Sequence, residues 1–298
     1  MKRAILSLLA VALCVLLSGG AALGAAKTVV GISISTLNNP FFVDLRDGAK
    51  AEADRLGIDL VVADAQNDAN KQLSQVENFI QQRVSVILVN PCDSDAIIPA
   101  IKAANAAQIP VITVDRGANG GVVATHIASD NVAGGKMAGE YIATLIGGKG
   151  KVVELEGIPG TSAARDRGRG FNEALKSYPG IVVVARQEAG FDRARGMNVM
   201  ENILQAQPEI DALFCHNDEM ALGALRAIEA AGRLAKIKIV GFDATDDAVS
   251  AVKAGKMQAT VAQQPREMGR LGVAKAKELL DGAQLPAYIP VALELVRK

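Results

Sequence analysis

Apolar, β-branched runs alternate with helical stretches along most of this chain. Four of these runs end at an Asn or Asp, and they cover residues 84–90, 110–115, 212–217 and 238–243. Continuous Val, Ile and Leu runs of this length are typical of strands buried on both faces of a parallel sheet. Because strands that alternate with helices form right-handed βαβ units, the sequence predicts an α/β fold with parallel sheets.

The length of 298 residues suits two domains of ordinary size. The alternation of strands and helices pauses at a glycine-rich segment, residues 117–131, and then resumes. No segment rich in Pro and Ser separates the two halves. We therefore expect two Rossmann-like lobes that are joined by short crossings at the ends of strands.

The first 26 residues have a short basic start, an apolar stretch over residues 4–17 and a run of small residues. This pattern predicts a secretory signal peptide at residues 1–26, removed after Gly24 or Ala26. A membrane anchor is the alternative, but the apolar stretch is shorter than the roughly 20 residues that span a bilayer. After cleavage only Cys92 and Cys215 remain, and we expect two buried, unpaired thiols, because a bridge across a cleft would lock it.

Composition and motifs argue against several classes of function. The 32 basic and 32 acidic residues cancel, which disfavours a nucleic-acid partner. The sequence has no phosphate-binding loop, and its two His residues form no zinc motif, so we expect neither a cofactor nor a metal. Ser162 follows a strand, but Ala164 stands where a nucleophile elbow needs Gly, so we assign Ser162 to a helix start.

The polar residues at the strand ends predict a binding site. Asn90, Asp115, Asn217 and Asp243 end the four apolar runs, and ligands of parallel sheets bind beyond the carboxyl ends of the strands. Amide and carboxylate groups exchange hydrogen bonds with a small polyhydroxylated ligand, whereas a nucleotide needs glycine-rich turns. The ring of strand-end residues therefore favours a sugar.

Other residues near strand ends are either candidate ligand contacts or ordinary structural residues. Asn39 and Pro40 begin a helix, which places Phe41 and Phe42 either against a sugar face or simply over the sheet. Arg116 can hold two sugar oxygens through its planar fork. The remaining charged groups are interpreted without a function: the arginines at 165, 167 and 169 as a solvated face, and the acids at 218 and 219 as first-turn helix residues.

Several segments resemble the ribose-binding family of bacterial sugar ABC transporters, which are periplasmic binding proteins of type I. They are STLNNPFF, NPCDSDA, VITVDR, HIASDN, GTSAARDRGRGF, NDEMALGALRA and GFDAT, and they follow the family's order over the whole mature chain. The resemblance implies two lobes joined by three hinge crossings, which close on one sugar. It predicts an N-terminal lobe of residues 27–129 plus 264–290 and a C-terminal lobe of residues 130–263 plus 291–298.

The resemblance also implies a set of ligand contacts, each on the residue type that the family uses. In the N-terminal lobe they are Asn39, Phe41, Phe42, Asn90, Asp115 and Arg116; in the C-terminal lobe they are Arg167, Phe191, Asn217 and Asp243, with Gln263 at the hinge. For Arg167, this expectation differs from the solvated face that the residue pattern alone predicts.

The expected function is that of an exported, monomeric solute-binding protein that captures a monosaccharide, D-ribose first, and hands it to an ABC permease in the periplasm. Another sugar such as allose, a sugar-like quorum signal and a chemoreceptor partner stay open as alternatives. A DNA-binding regulator with the same core would begin with a helix-turn-helix segment, where a predicted signal peptide stands instead. A secreted sugar-processing enzyme is disfavoured, because no nucleophile or metal set accompanies Asp115 and Asp243.

Overall fold

The structure is a computed structural model that describes residues 27–298, so the predicted signal peptide at residues 1–26 lies outside the described residues. The strands are β1 (Val29–Ile34), β2 (Asp59–Asp64), β3 (Val86–Val89), β4 (Val111–Val114), β5 (Thr125–Ser129), β6 (Lys149–Glu156), β7 (Gly180–Glu188), β8 (Ala212–Cys215), β9 (Lys238–Asp243), β10 (Ala259–Ala262), β11 (Tyr288–Val291) and β12 (Glu294–Arg297). The helices are α1 (Pro40–Leu56), α2 (Ala69–Gln81), α3 (Ile98–Ala106), α4 (Asn131–Leu145), α5 (Ser162–Leu175), α6 (Arg193–Ala206), α7 (Asp218–Ala230), α8 (Asp246–Lys253) and α9 (Pro265–Leu280).

These strands form two six-stranded sheets, one in each lobe. The strand order of the first is β11-β5-β4-β3-β1-β2, and that of the second is β12-β10-β9-β8-β6-β7. All neighbouring strands described here run parallel except β12, which pairs antiparallel with β10. The predicted α/β class with parallel sheets is confirmed.

Within residues 27–298 the chain passes between the two sheets three times. The first passage follows β5, because α4 packs against α5 of the second lobe. The second follows β10, since α9 packs against α1 of the first lobe, and the third joins β11 to β12. Two lobes with three crossings agree with the expected fold, while the exact lobe boundaries stay a prediction.

Buried strands and small helix residues hold each lobe together. The central strands β3, β4 and β8 are buried at every position, as their continuous apolar runs predict. Where α1 meets α9, a Cβ atom on Gly48 would lie 2.0 Å from the carbonyl oxygen of Arg266, so only glycine permits this approach. Ligands of parallel sheets bind beyond the carboxyl ends of the strands, so that edge of each sheet is where a site is expected.

The described residues have three further features. Cys92 and Cys215 are both buried and unpaired, as expected. No cluster of His, Cys, Asp and Glu side chains that could hold a metal ion occurs within residues 27–298. Of the helices in the same range, none combines the length and apolar character that a membrane crossing requires.

Candidate functional site

The carboxyl ends of both sheets meet around one cavity between the lobes. Asp115 follows β4 in the first lobe, while Asn217 follows β8 and Asp243 ends β9 in the second. The atom-free space among its lining residues, counted together with the solvent that opens onto it, is about 240 Å³. Its lining comprises Asn39, Phe41, Phe42, Asp115, Arg116, Ala163, Arg167, Phe191, Asn217 and Asp243. The structure therefore brings together nine of the eleven predicted ligand contacts in a single enclosed space.

The first turn of α1 contributes two aromatic rings. The Asn39 side chain accepts a hydrogen bond from the backbone N–H of Phe41 at 2.9 Å, and Pro40 occupies the first helical position, as predicted. The rings of Phe41 and Phe42 lie 5.2 Å apart in an edge-to-face arrangement. Both side chains are buried and line the cavity, so they give one wall an apolar surface.

Asp115 is a buried carboxylate fixed by its neighbours. Its backbone has a left-handed φ of 63°, which turns the side chain away from the strand. Asn90 Nδ2 donates to Asp115 Oδ2 at 3.0 Å, and the same amide nitrogen donates to the carbonyl oxygen of Val114. Burial raises the pKa of the Asp115 carboxyl, while the neighbouring guanidinium of Arg116 opposes that rise.

Arg116 lies between aromatic rings of the two lobes. Its guanidinium carbon is 5.1 Å from the ring centre of Phe42 in the first lobe and 5.2 Å from that of Phe191 in the second. The side chain is buried, and burial lowers the pKa of the guanidinium from its ordinary value, against the pull of Asp115. The aromatic contacts with both lobes give this cation a role in holding them together.

Arg167 corrects the interpretation of the arginine run as a solvated face. Arg165 and Arg169 are exposed, but Arg167 is buried, because it lies with Ala163 on the inward face of α5. Its Nε donates to Asn131 Oδ1 at 2.8 Å and its Nη1 to the backbone oxygen of His216 at 2.6 Å. These two bonds aim the guanidinium into the cavity, as the family resemblance implies.

Asp243 faces Arg167 across the second lobe's side of the cavity. The distance from Arg167 Nη1 to Asp243 Oδ1 is 3.5 Å, and Gln263 Nε2 donates to the same oxygen at 2.8 Å. Burial raises the pKa of the Asp243 carboxyl to about 7, although the charge of Arg167 and the Gln263 hydrogen bond oppose the rise. Burial therefore favours the uncharged form of Asp243 more than it does for an exposed carboxyl.

A buried acid behind Asp243 holds the turn that presents it. Asp243 and Ala244 have positive φ values of 117° and 56°, which are strained for residues with side chains. Asp218 Oδ2 accepts from the backbone N–H of Thr245 at 2.8 Å, and Asp218 Oδ1 accepts from Thr260 Oγ1 at 2.7 Å. Thr260 Oγ1 in turn accepts from the backbone N–H of Ala244 at 3.1 Å.

Asp218 thus has a larger role than the first-turn acid predicted from the sequence. It lies in the first turn of α7 but is fully buried, and burial raises its pKa well above the ordinary value. The sequence signal, a carboxylate beside Asn217, gives no indication of the two threonines that meet it from other segments.

Phe191 and Asn217 form one unit. The Asn217 side chain accepts from the backbone N–H of Met220, which caps α7, and donates to the backbone oxygen of Phe191 at 3.4 Å. Phe191 has a left-handed φ of 60°, and a Cβ on Gly157 would lie 2.0 Å from its ring. Glycine at position 157 therefore makes room for the ring to lie over the cavity.

Three buried polar atoms at this site have no hydrogen-bond partner within residues 27–298. They are Asp115 Oδ1, Arg116 Nε and Gln263 Oε1. Native proteins pair nearly all such atoms, since an unpaired buried polar group costs about 1–3 kcal/mol. Arg116 Nε as a donor and Asp115 Oδ1 as an acceptor belong to residues that line the cavity, and this pair matches the hydroxyl groups of a polyol, whereas Gln263 lies behind Asp243.

Comparison with known proteins covers nearly the whole chain. The periplasmic binding protein domain matches residues 30–284. The chain belongs to this family. It is 52% identical over 271 residues to the ribose import binding protein RbsB of Haemophilus influenzae, across 91% of this chain and 92% of that protein. It is 51% identical over 298 residues to RbsB of Salmonella typhimurium, across 100% and 99% of the two chains.

A solved structure shows the same fold. It is an ABC transporter periplasmic solute binding protein from Actinobacillus succinogenes with bound D-allose, and it has a TM-score of 0.86 and 34% identity over 91% of this chain and 98% of that chain. The expected type I periplasmic binding protein fold is confirmed. These relatives are named as an import binding protein and as a solute binding protein of an ABC transporter, which also confirms the prediction that the chain is not an enzyme.

In this periplasmic binding protein, two of the predicted contacts lie one layer behind the cavity. Asn90 donates to Asp115, and Gln263 donates to Asp243, but neither is among the cavity-lining residues. Their direct contact with a ligand stays a prediction. The sequence reasoning missed Ala163, which lines the cavity, and Asn131, which orients Arg167; the spacing of Ala163 four residues before Arg167 is the signal that could have found it.

A larger hollow of about 1260 Å³ of atom-free space opens beside this cavity, along α1, α9 and the turn after β9. Half of its lining residues are charged, and several of these charges pair with each other, as Arg55 does with Glu52 and Arg270 does with Glu267. Nine of the predicted contacts line the smaller cavity, whereas only Phe41, Asp243 and Gln263 line the larger hollow, so the smaller cavity is the candidate ligand site.

Proposed function

We propose that this protein binds one monosaccharide, D-ribose in preference to others, between its lobes and delivers it to the permease of an ABC importer. The observation that carries this proposal is the convergence of charged and aromatic side chains from both lobes on one enclosed cavity. Two relatives about 50% identical over most or all of the chain are named as ribose import binding proteins, which favours ribose as the sugar.

The lining suits a sugar ring chemically. Phe41, Phe42 and Phe191 offer flat apolar surfaces for the C–H faces of the ring, and the charged groups surround its edge. Hydrogen bonds to charged groups contribute about 1.5–3 kcal/mol each, so Asp115 and Asp243 with their arginine neighbours supply most of the affinity. A sugar that lacks one matched hydroxyl leaves a buried partner unpaired and binds more weakly.

Binding and lobe closure are one process in this proposal. A ligand that contacts both lobes stabilises the closed form through its higher affinity for that form. The closed, sugar-bound monomer then docks on the permease in the periplasm, after export with the signal peptide at residues 1–26. Docking of the same form on a chemoreceptor is a second outcome that a binding assay with purified receptor distinguishes.

Isothermal titration against a panel of pentoses and hexoses tests the proposal. We expect one D-ribose per chain, bound more tightly than D-arabinose, D-xylose or D-galactose. D-allose is the second candidate, since a structural relative contains it. Absence of heat with every sugar of the panel would contradict the proposed function, and tighter binding of D-allose would change the assigned ligand.

A further inference from the structure

The two lobes contact each other through polar groups that lie outside the sugar cavity. The backbone N–H of Gly117 in the first lobe donates to Ser162 Oγ in the second at 2.9 Å. The backbone N–H of Ser94 donates to the carbonyl oxygen of Gly160 at 2.9 Å. Arg165 Nη2 of the second lobe donates to Ser94 Oγ and to the Asn119 side chain, each at 3.4 Å.

We name this set of contacts the interlobe clasp. Its members are Ser94, Gly117 and Asn119 of the first lobe and Gly160, Ser162 and Arg165 of the second. None of them is among the residues that line the cavity. The clasp is nevertheless continuous with the site, because Gly117 follows Arg116 directly and Ser162 begins the helix that contains Arg167.

The clasp is tight at Gly160. A Cβ atom on this residue would lie 1.7 Å from the carboxylate of Asp93 in the other lobe. The Asp93 carboxylate is not free to move away, because its Oδ1 accepts from the backbone N–H groups of Asp95 and Ala96 at 2.8 Å each. A side chain at position 160 would therefore oppose lobe contact without disturbing the interior of either lobe.

We propose that the interlobe clasp stabilises the closed form and thereby sets the affinity and the release rate for the sugar without touching it. The proposal rests on the proposed function. In a two-state protein, apparent affinity falls in proportion to the population of the binding-competent form, so contacts made only in the closed form count toward binding. The same contacts slow opening, which is the step that releases the sugar.

The clasp also gives a role to residues that the sequence left without one. Ser162 resembled part of a nucleophile elbow, and Arg165 belonged to the arginine run. In the structure Ser162 Oγ accepts a hydrogen bond from Gly117 of the first lobe. The exposed Arg165 donates a hydrogen bond to Asn119 of the same lobe. Both side chains therefore make contacts that exist only when the lobes are together.

The test compares D-ribose binding by the wild type and by clasp variants, using calorimetry for Kd and loss of radiolabelled D-ribose on dilution for the dissociation rate. Ser162→Ala and Arg165→Ala should each raise Kd roughly 2- to 10-fold, as expected for the loss of a net hydrogen bond or two, with faster dissociation. Arg169→Ala is the matched control, because this exposed arginine of the same helix pairs with Asp166 of its own lobe. We expect it to bind like the wild type.

Gly160→Ala supplies a rescue test. It should raise Kd roughly tenfold. When the same change is made in Asp93→Ala, Kd should rise much less above that of Asp93→Ala alone, because the opposing carboxylate is gone. Thermal midpoints of all variants without sugar show whether each lobe still folds. Equal Kd and dissociation rates for the wild type, Ser162→Ala, Arg165→Ala and Gly160→Ala would overturn the clasp while leaving the proposed function intact.

The wild-type measurement tests the proposed function, and the variants test the clasp, so failures of the two proposals are distinguishable. A wild type that binds none of the sugars contradicts the proposed function, and the clasp as a determinant of sugar affinity falls with it. A Gly160→Ala effect that Asp93→Ala does not relieve would also overturn the clasp, since it would place the damage inside the second lobe.

Discussion

Single carboxylates should decide much of the sugar affinity. Asp243→Ala removes the carboxylate that neutralises the buried Arg167, and it removes the acceptor of the Gln263 side-chain amide. We expect Kd for D-ribose to rise more than tenfold, by calorimetry, with an unchanged circular dichroism spectrum. Asp246→Ala is the control, because that exposed acid lies outside the cavity. Unchanged affinity in Asp243→Ala would remove this residue from the site.

Protonation of Asp243 should make stability depend on pH. Its pKa in the folded protein is about 7, against an ordinary value of 3.8, so the fold favours the protonated form. This contribution is fully present below pH 4 and is lost as pH rises through 7. The thermal midpoint of the ligand-free protein should therefore fall with pH over this range more steeply in the wild type than in Asp243→Asn.

The difference between the two slopes is the decisive quantity. Burial also raises the pKa values of Asp115 and Asp218, so part of the slope should remain in the Asp243→Asn variant. Two identical slopes would show that Asp243 titrates in the folded protein much as it does in the unfolded chain.

Sequence patterns located some site residues well and others poorly, for physical reasons. Asp115, Asn217 and Asp243 are predictable because a parallel sheet brings the ends of its strands to one edge, and all three line the cavity, while Asn90 lies behind Asp115. Arg167 was not found from its own surroundings, because charge alternation along a helix does not say which residue turns inward. Only the family resemblance identified it.

The turn between β9 and α8 is an element whose shape depends on distant residues. Asp218→Ala would leave the backbone N–H of Thr245 and the hydroxyl of Thr260 without their acceptor. We expect a loss of about 2–4 kcal/mol in the free energy of unfolding, measured by denaturant titration, together with weaker sugar binding. Asp218→Asn keeps one acceptor oxygen and should lose less of both.

An exposed acid of the same lobe provides the comparison for that experiment. Glu201→Ala, on α6, should change the free energy of unfolding by no more than about 0.5 kcal/mol. If Asp218→Ala were equally mild, the turn would be held by its own backbone preferences rather than by the buried carboxylate.

The order and type of the elements were predictable, whereas their local strain was not. Alternating strand and helix signals gave both sheets, and Asn39 marked the start of α1. The left-handed φ of Phe191 follows no local preference, because bulky residues rarely adopt it, whereas Asp115 belongs to a residue type that adopts it more often. These two residues line the cavity, where strain is commonly stored for function.

The whole molecule is two lobes whose contact creates the site. Arg116 of the first lobe lies against Phe191 of the second, and the clasp joins the lobes beside the cavity. The sequence predicted the two lobes but could not give the distances between them, because those depend on how three crossings orient two separately packed cores. Affinity should therefore respond both to residues that touch the sugar and to residues that touch only the other lobe.

A crystal structure of the protein with D-ribose tests the central claim most directly. We predict one sugar in the interlobe cavity, within hydrogen-bond distance of Asp115 and Arg116 from the first lobe and of Arg167 and Asp243 from the second. Its hydroxyl groups should pair with Asp115 Oδ1 and Arg116 Nε, which are unpartnered among the described residues. A sugar bound outside this cavity, or held by one lobe alone, would contradict the account.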